Sequence, residues 1–217
     1  MIGVAIATQE EWNTIIELLE IDKNDLISYP FGNYISIKMY NKEVVFYQSG
    51  YRKVNSSGAA QYMIDKFKLN KIVVIGTCAG INRQYKILDI LMPTIAVQCD
   101  CTVKEIEPLI KQRFVVNLKE ASLEEISIGT LDKAVVMWKD FEELQENHID
   151  IADCESAAVA YICKLNHVEC SIIKGISDFP ICQEQGKENK TQIAIYEQNT
   201  PIIMKKILEN YLIKEIG

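Results

Sequence analysis

The chain has 217 residues, 48% of them hydrophobic and 24% charged, with a net charge of −7. An acidic balance without a dense basic run excludes nucleic-acid backbone and anionic membrane as main partners, and this length buries a sizeable core without staples. The seven cysteines are odd in number, Cys99-Asp-Cys101 is a C-x-C, and the two histidines bring no paired ligands, so reduced, mostly buried thiols are expected rather than a disulfide framework or a zinc site.

In chain order, "MIGVAIATQEEW" opens with a short apolar run and no basic segment, which reads as a buried strand rather than a signal peptide. No run reaches the length of a membrane span, and a cytoplasmic protein is expected. "EEWNTIIELLE" has helical spacing through Trp12, Ile15, Ile16, Leu18 and Leu19. "YISIKMY" and "KEVVFYQSG" form a hairpin turning at Asn41-Lys42, and "SSGAAQYMIDKF" a helix capped by Ser56 or Ser57. "KIVVIGTCAG" is an apolar strand ending in a Gly-containing turn. "ILDILMPTIAVQ" is another strand, bent at Pro93, and "EEISIGTLDKAVVMW" holds one or two more. "DFEELQEN" and "ESAAVAYICKLN" are helices, "CSIIKGISD" is a buried strand, and "TPIIMKKILENYLIKEI" is a terminal helix with Pro201 in its first turn. The polar stretch 182–192, "CQEQGKENKTQ", is a candidate lid.

Continuous apolar strands alternating with helices predict a single α/β domain over 1–217, three-layer α/β/α around a mixed, mostly parallel twisted sheet. Ligands of such sheets sit at the carboxyl ends of the strands. Glu10, Glu11, Ser49, Gly50, the Gly76 to Gly80 segment and Asp178 all follow strands. Taken singly, each has a plain structural explanation. Glu10 and Glu11 complement a helix dipole, "IGTCAG" is neither a P-loop nor a dinucleotide fingerprint, Asp153 caps a helix with Glu155 in its first turn, and Asp178 caps a turn. Together they are candidates for one site.

The blocks "MIGVAIATQEEW", "QSGYRKVNSSGAA", "KIVVIGTCAGIN", "DCESAAVAYIC" and "IIKGISD" resemble, in order and spacing, the purine nucleoside phosphorylase superfamily, closest to the methylthioadenosine/S-adenosylhomocysteine nucleosidases. The resemblance implies hydrolysis of the N-glycosidic bond of an adenine nucleoside through an oxocarbenium-like transition state. It assigns the proton donor to Asp178, supported by Ser177. It assigns the water-activating base to Glu11, and the ribose-binding carboxylate to Glu155, preceded by Cys154 where relatives carry Met. Ser49, Gly50, Thr77, Cys78 and Gly80 would line the floor. The adenine-stacking aromatic is replaced by Ala134 or Val135, leaving Trp138 or Phe179 to substitute. No cofactor or metal is implied, and the partners are a small nucleoside and a second copy in a homodimer. The alternatives are a phosphorylase of the same fold, a nucleosidase for another purine nucleoside such as futalosine, and a nucleoside-binding module without turnover. Three arginines, Ile75 in place of a phosphate-binding Arg, and glutamates in the first loop favour water over phosphate.

Overall fold

The computed structural model describes residues 1–100, 113–117, 125–181 and 190–217. Its strands are β1 Ile2–Ile6, β2 Ile27–Tyr29, β3 Gly32–Met39, β4 Lys42–Gln48, β5 Lys71–Gly80, β6 Ile90–Leu91, β7 Ile95–Gln98, β8 Arg113–Val115, β9 Ser127–Thr130, β10 Ile151–Asp153 and β11 Glu169–Asp178. The helices are α1 Gln9–Leu18, α2 Arg52–Phe67, α3 Trp138–Glu146, α4 Ser156–Leu165, α5 Lys190–Ile207 and the short α6 Ile213–Ile216. All eleven strands among the described residues join one sheet in the order β2-β3-β4-β1-β5-β10-β9-β7-β8, with β11 on the other edge of β5 and β6 on β11. The longest register, β11 on β5, is parallel, as are β1 on β4 and on β5. The outer hairpin β2-β3-β4 is antiparallel. No helix among the described residues is long and apolar enough to cross a membrane.

Alternation along the strands divides the core into two faces. Val4, Ile6, Val73, Ile75 and Ile173 point towards Trp12, Ile15 and Ile16 of α1 and Ile203, Met204 and Ile207 of α5. Ala5, Ile72, Val74, Ile172 and Ile176 point the other way, onto Ala59, Ala60 and Met63 of α2 and Ala157, Val159 and Ala160 of α4. Small residues on α2 and α4 let both helices lie close over the same face. The three-layer arrangement follows from this packing.

Several elements differ from the sequence reading. The hairpin turns at Tyr40-Asn41, both with positive φ (50° and 63°), because β4 already begins at Lys42. The α2 helix starts at Arg52, with no side-chain cap from Tyr51, and Ser56 Oγ instead donates to the Arg52 carbonyl inside the helix. The 90–98 segment is two strands on different neighbours, β6 on β11 and β7 on β8 and β9, since Pro93 cannot donate a ladder bond. The terminal helix begins by Lys190, which places Pro201 inside it rather than in its first turn. The candidate lid therefore ends in helix at 190–192, and its remainder, 182–189, lies outside the described residues, as do Cys101 and Cys182.

Candidate active site

β5 changes partners part-way along its length. Its first half pairs with β1 as far as Ile75, and its last residues, Ala79 and Gly80, pair antiparallel with β10. Between them the strand edge is open at Gly76, Thr77 and Cys78. A crevice forms there, at the carboxyl ends of β1, β4, β5, β9, β10 and β11, where neighbouring strands diverge. It is a cavity of about 630 Å³ whose wall includes Glu11, Thr77, Cys78, Val135, Cys154, Glu155, Ser177 and Asp178.

Glu11 fills the gap in the sheet. Its Oε1 accepts from the Thr77 N–H at 2.7 Å and from Thr77 Oγ1 at 2.8 Å, and its Oε2 accepts from the Thr8 N–H at 3.0 Å. The last bond is half of a capping box, since Thr8 Oγ1 accepts from the Glu11 N–H. Glu11 is 1% exposed. Charge-assisted bonds are each worth about 1.5–3 kcal/mol, so three of them offset the several kcal/mol of burying an ionised carboxylate. The residue opposite must be glycine: Gly76 has φ +151°, and a Cβ there would stand 2.7 Å from Glu11 Oε1. Glu10 lies exposed on the rim of the same cavity, where the Tyr51 hydroxyl reaches its Oε2 at 3.4 Å.

Glu155 stands at the N-cap of α4 but does not cap it. The first-turn amide of Ser156 goes to Asp153 and that of Ala157 to Thr130 Oγ1. This frees the Glu155 carboxylate to cross the cavity and accept the Arg52 N–H at 2.9 Å, at the start of α2. Arg52 has φ +70° there, a strained geometry for a side chain of its size. Burial pushes Glu155 up to about 7, with repulsion from Asp153 adding to it and Lys174 and the Arg52 amide opposing it.

Asp178 ends β11 with its Oδ1 held by Ser177 Oγ at 2.5 Å and its Oδ2 by Gln192 Nε2 at 2.7 Å. Burial raises its pKa above the usual aspartate range, although both hydrogen bonds pull it down.

Sequence reasoning missed Lys174. This lysine is 1% exposed, and its Nζ lies 3.1 Å from Asp153 Oδ2. Burial alone would lower its pKa, but attraction to Asp153, Glu11 and Glu155 outweighs that and holds the ammonium above the usual lysine range. Asp153 is further held by Thr130 Oγ1 at 2.7 Å and by Ser156. The signal was present in "SIIKGISD", where one lysine sits between Ile173 and Gly175 in a strand expected to be buried.

The structure thus brings Glu11, Glu155, Asp178, Thr77, Cys78, Cys154, Ser177 and Val135 to one cavity, while three expected floor residues, Ser49, Gly50 and Gly80, do not line it. Ser49 is buried with its N–H on the Ile6 carbonyl, and Gly50 makes the turn into α2 with φ +71°. Gly80 faces Phe179, whose ring would lie 2.4 Å from a Cβ at that position. These residues shape backbone rather than touch the cavity. Neither candidate for the missing aromatic lines it either. Phe179 lies under the Arg83 guanidinium at 4.4 Å, and Trp138 packs edge-on against Phe141. The cavity's aromatic rings are Tyr51 and Tyr196, grouped with Thr8 and Glu10 at its outer end. Burial pushes the Cys154 thiol up to about 12 and the Cys78 thiol well up, so neither is a poised nucleophile.

A family model described as Phosphorylase superfamily matches residues 1–126, more than half of the chain. The chain belongs to the phosphorylase superfamily. Among curated relatives of this superfamily member, an aminodeoxyfutalosine nucleosidase from Helicobacter pylori is 27% identical over 198 residues, covering 82% of this chain and 85% of the relative. A 5'-methylthioadenosine/S-adenosylhomocysteine nucleosidase from Buchnera aphidicola is 25% identical over 205 residues, covering 82% and 77%. Among solved structures, the futalosine hydrolase of Helicobacter pylori superposes with a TM-score of 0.79 at 23% identity, covering 96% of this chain and 97% of that one, which establishes a shared fold.

Proposed function

We propose that this superfamily member is a purine nucleosidase, hydrolysing the N-glycosidic bond of an adenine nucleoside of the 5'-methylthioadenosine or S-adenosylhomocysteine kind. The observation that carries the reading is the convergence of three buried carboxylates, Glu11, Glu155 and Asp178, on one cavity at the strand ends. Each has separate work. Asp178, kept proton-loving by burial, gives its proton to a ring nitrogen of the purine as the C1'–N bond breaks and the electron pair leaves with the base. Glu155 accepts hydrogen bonds from the ribose hydroxyls and, with Glu11, faces the positive charge developing on the sugar. Glu11 takes a proton from the water that adds to C1'. Thr77 holds Glu11 in place, and Lys174 limits the mutual repulsion of the acids. The balance is one water consumed, with base and free sugar released. Thr77, Cys78, Cys154, Ser177 and Val135 line the substrate's surroundings, with Ala134 beside Val135 on the same wall.

Water is favoured over phosphate on charge. A phosphate dianion at C1' would meet Glu11 and Glu155, and Ile75, fully buried in the core, offers it no guanidinium. The curated relatives carry two substrate names, and an aminodeoxyfutalosine-type nucleoside is the second reading that they support. The protein works in the cytoplasm as a homodimer, for which exposed Tyr51, Val54, Met137 and Trp138 offer apolar contact area.

Turnover in ¹⁸O-labelled water tests the chemistry. The label is expected on C1 of the released sugar. A sugar 1-phosphate formed instead, without label, would make the protein a phosphorylase.

A further inference from the structure

Gln192, in the first turn of α5, uses both ends of its side-chain amide. Nε2 donates to Asp178 Oδ2 at 2.7 Å, and Oε1 accepts the Ile181 N–H at 3.1 Å. The Ile181 N–H can meet only an oxygen, so the amide nitrogen must face the carboxylate. Ser177 Oγ donates to Oδ1 from the other side. The carboxyl plane is therefore pinned at both oxygens. About two turns further along the same helix, Asn199 Nδ2 donates to the Ser177 carbonyl at 2.7 Å, which fixes α5 against the end of β11.

We propose that Gln192 is a positioning residue for the Asp178 proton donor, fixing its carboxyl plane and setting its proton affinity. The proposal rests on the nucleosidase reading of the site. An N–H aimed at a carboxylate stabilises the ionised form and opposes the effect of burial. Gln192 thus holds the acid in the orientation in which a purine nitrogen can replace the amide at Oδ2. The other titratable and charged groups on the same cavity are Glu10 and Glu11 from α1, Tyr51 and Arg52 at the start of α2, Cys78 from β5, Lys133 after β9, Asp153, Cys154 and Glu155 from the β10–α4 side, and Tyr196 and Glu197 from α5. Replacing Gln192 leaves all of them in place, so a change in the titration of Asp178 reports the lost amide.

The test is the pH dependence of kcat and KM in Gln192→Met and Gln192→Glu, with the Asp178 carboxyl titrated in parallel by ¹³C NMR. In Gln192→Met, kcat falls about ten- to a hundredfold with a smaller change in KM, as for a misaligned catalytic group. The limb on which activity is lost with rising pH moves to higher pH. Gln192→Glu sets a second carboxylate against the first and moves that limb further up. Lys206→Met loosens the same helix away from the cavity by removing its 3.2 Å bond to the Leu88 carbonyl, and leaves the limb in place. A Gln192→Met protein with wild-type kcat and an unmoved limb overturns the proposal, as does an equal movement in Lys206→Met. Wild-type protein that releases no base would overturn the nucleosidase reading instead. The carboxyl titration needs no turnover, and an Asp178 that titrates alike in wild type and Gln192→Met overturns the role of Gln192 on its own.

Discussion

Asp178→Asn lowers base release by about 10²–10⁴-fold, the usual contribution of a positioned general acid, and leaves the fold intact. The amide keeps the size of the side chain and cannot give a proton to the purine. The pH dependence follows with a definite sign. Burial raises the folded pKa of Asp178 above its unfolded value, so the folded protein binds this proton more tightly. Stability from this group is present at low pH and falls as pH rises from the unfolded pKa through the folded one. Asn stays neutral throughout. Its Tm is therefore no lower than wild type at pH 8, and any advantage shrinks on acidification. Wild-type turnover is lost as pH rises through the folded pKa of Asp178, and the residual activity of the variant lacks that limb. Calorimetry beside a chromatographic base assay reads both. An Asn variant that keeps wild-type turnover removes Asp178 from the mechanism.

Lys174→Met is expected to be the most damaging single change to stability. It leaves Asp153, Glu11 and Glu155 as buried carboxylates without their internal cation. Breaking a buried pair by removing one partner costs about 3–5 kcal/mol, which in a chain of this size lowers Tm by roughly 6–20 °C. The hydrogen bonds from Thr130 and Ser156 keep Asp153 in place, so the loss is electrostatic rather than a collapse of the β10–α4 junction. Without the ammonium, Glu155 holds its proton still more firmly, since Lys174 now pulls the other way. At neutral pH it faces the sugar uncharged, and turnover drops with stability. Lys174→Arg keeps the charge and recovers most of the Tm. A Lys174→Met protein as stable as wild type would show that the pair contributes nothing.

The strands were legible because β1, β5 and β11 are unbroken apolar runs, and acids that follow such runs fall at the carboxyl edge of the sheet. Glu11 and Asp178 were therefore expected at that edge, where both line the cavity, whereas Glu155 was singled out only as an acid at the head of a helix and by resemblance. β10 was not legible: three residues, Ile151–Asp153, carry no period. Yet it sets the antiparallel pairing that opens the crevice beside Thr77. The start of α5 was hidden because Pro201 looks like a first-turn residue and the preceding turns are polar. With it went Gln192 and Tyr196, whose roles depend on contacts with Asp178 and Thr8 far away in sequence. Ser49, Gly50 and Gly80 were expected on the floor of the site because short motifs mark where backbone bends, and a bend can serve packing as well as a ligand. Lys174 could have been found, since a lysine inside a buried strand demands a counter-charge. Its partner Asp153 had already been set aside as a helix cap, and it is both.

Base release by purified protein decides the central claim most directly. 5'-Methylthioadenosine, S-adenosylhomocysteine, aminodeoxyfutalosine and inosine are each supplied with and without phosphate, and the free base is quantified. The arrangement of Glu11, Glu155 and Asp178 predicts release of adenine at the same rate in both conditions. Release that requires phosphate, or none from any of the four nucleosides, would contradict it.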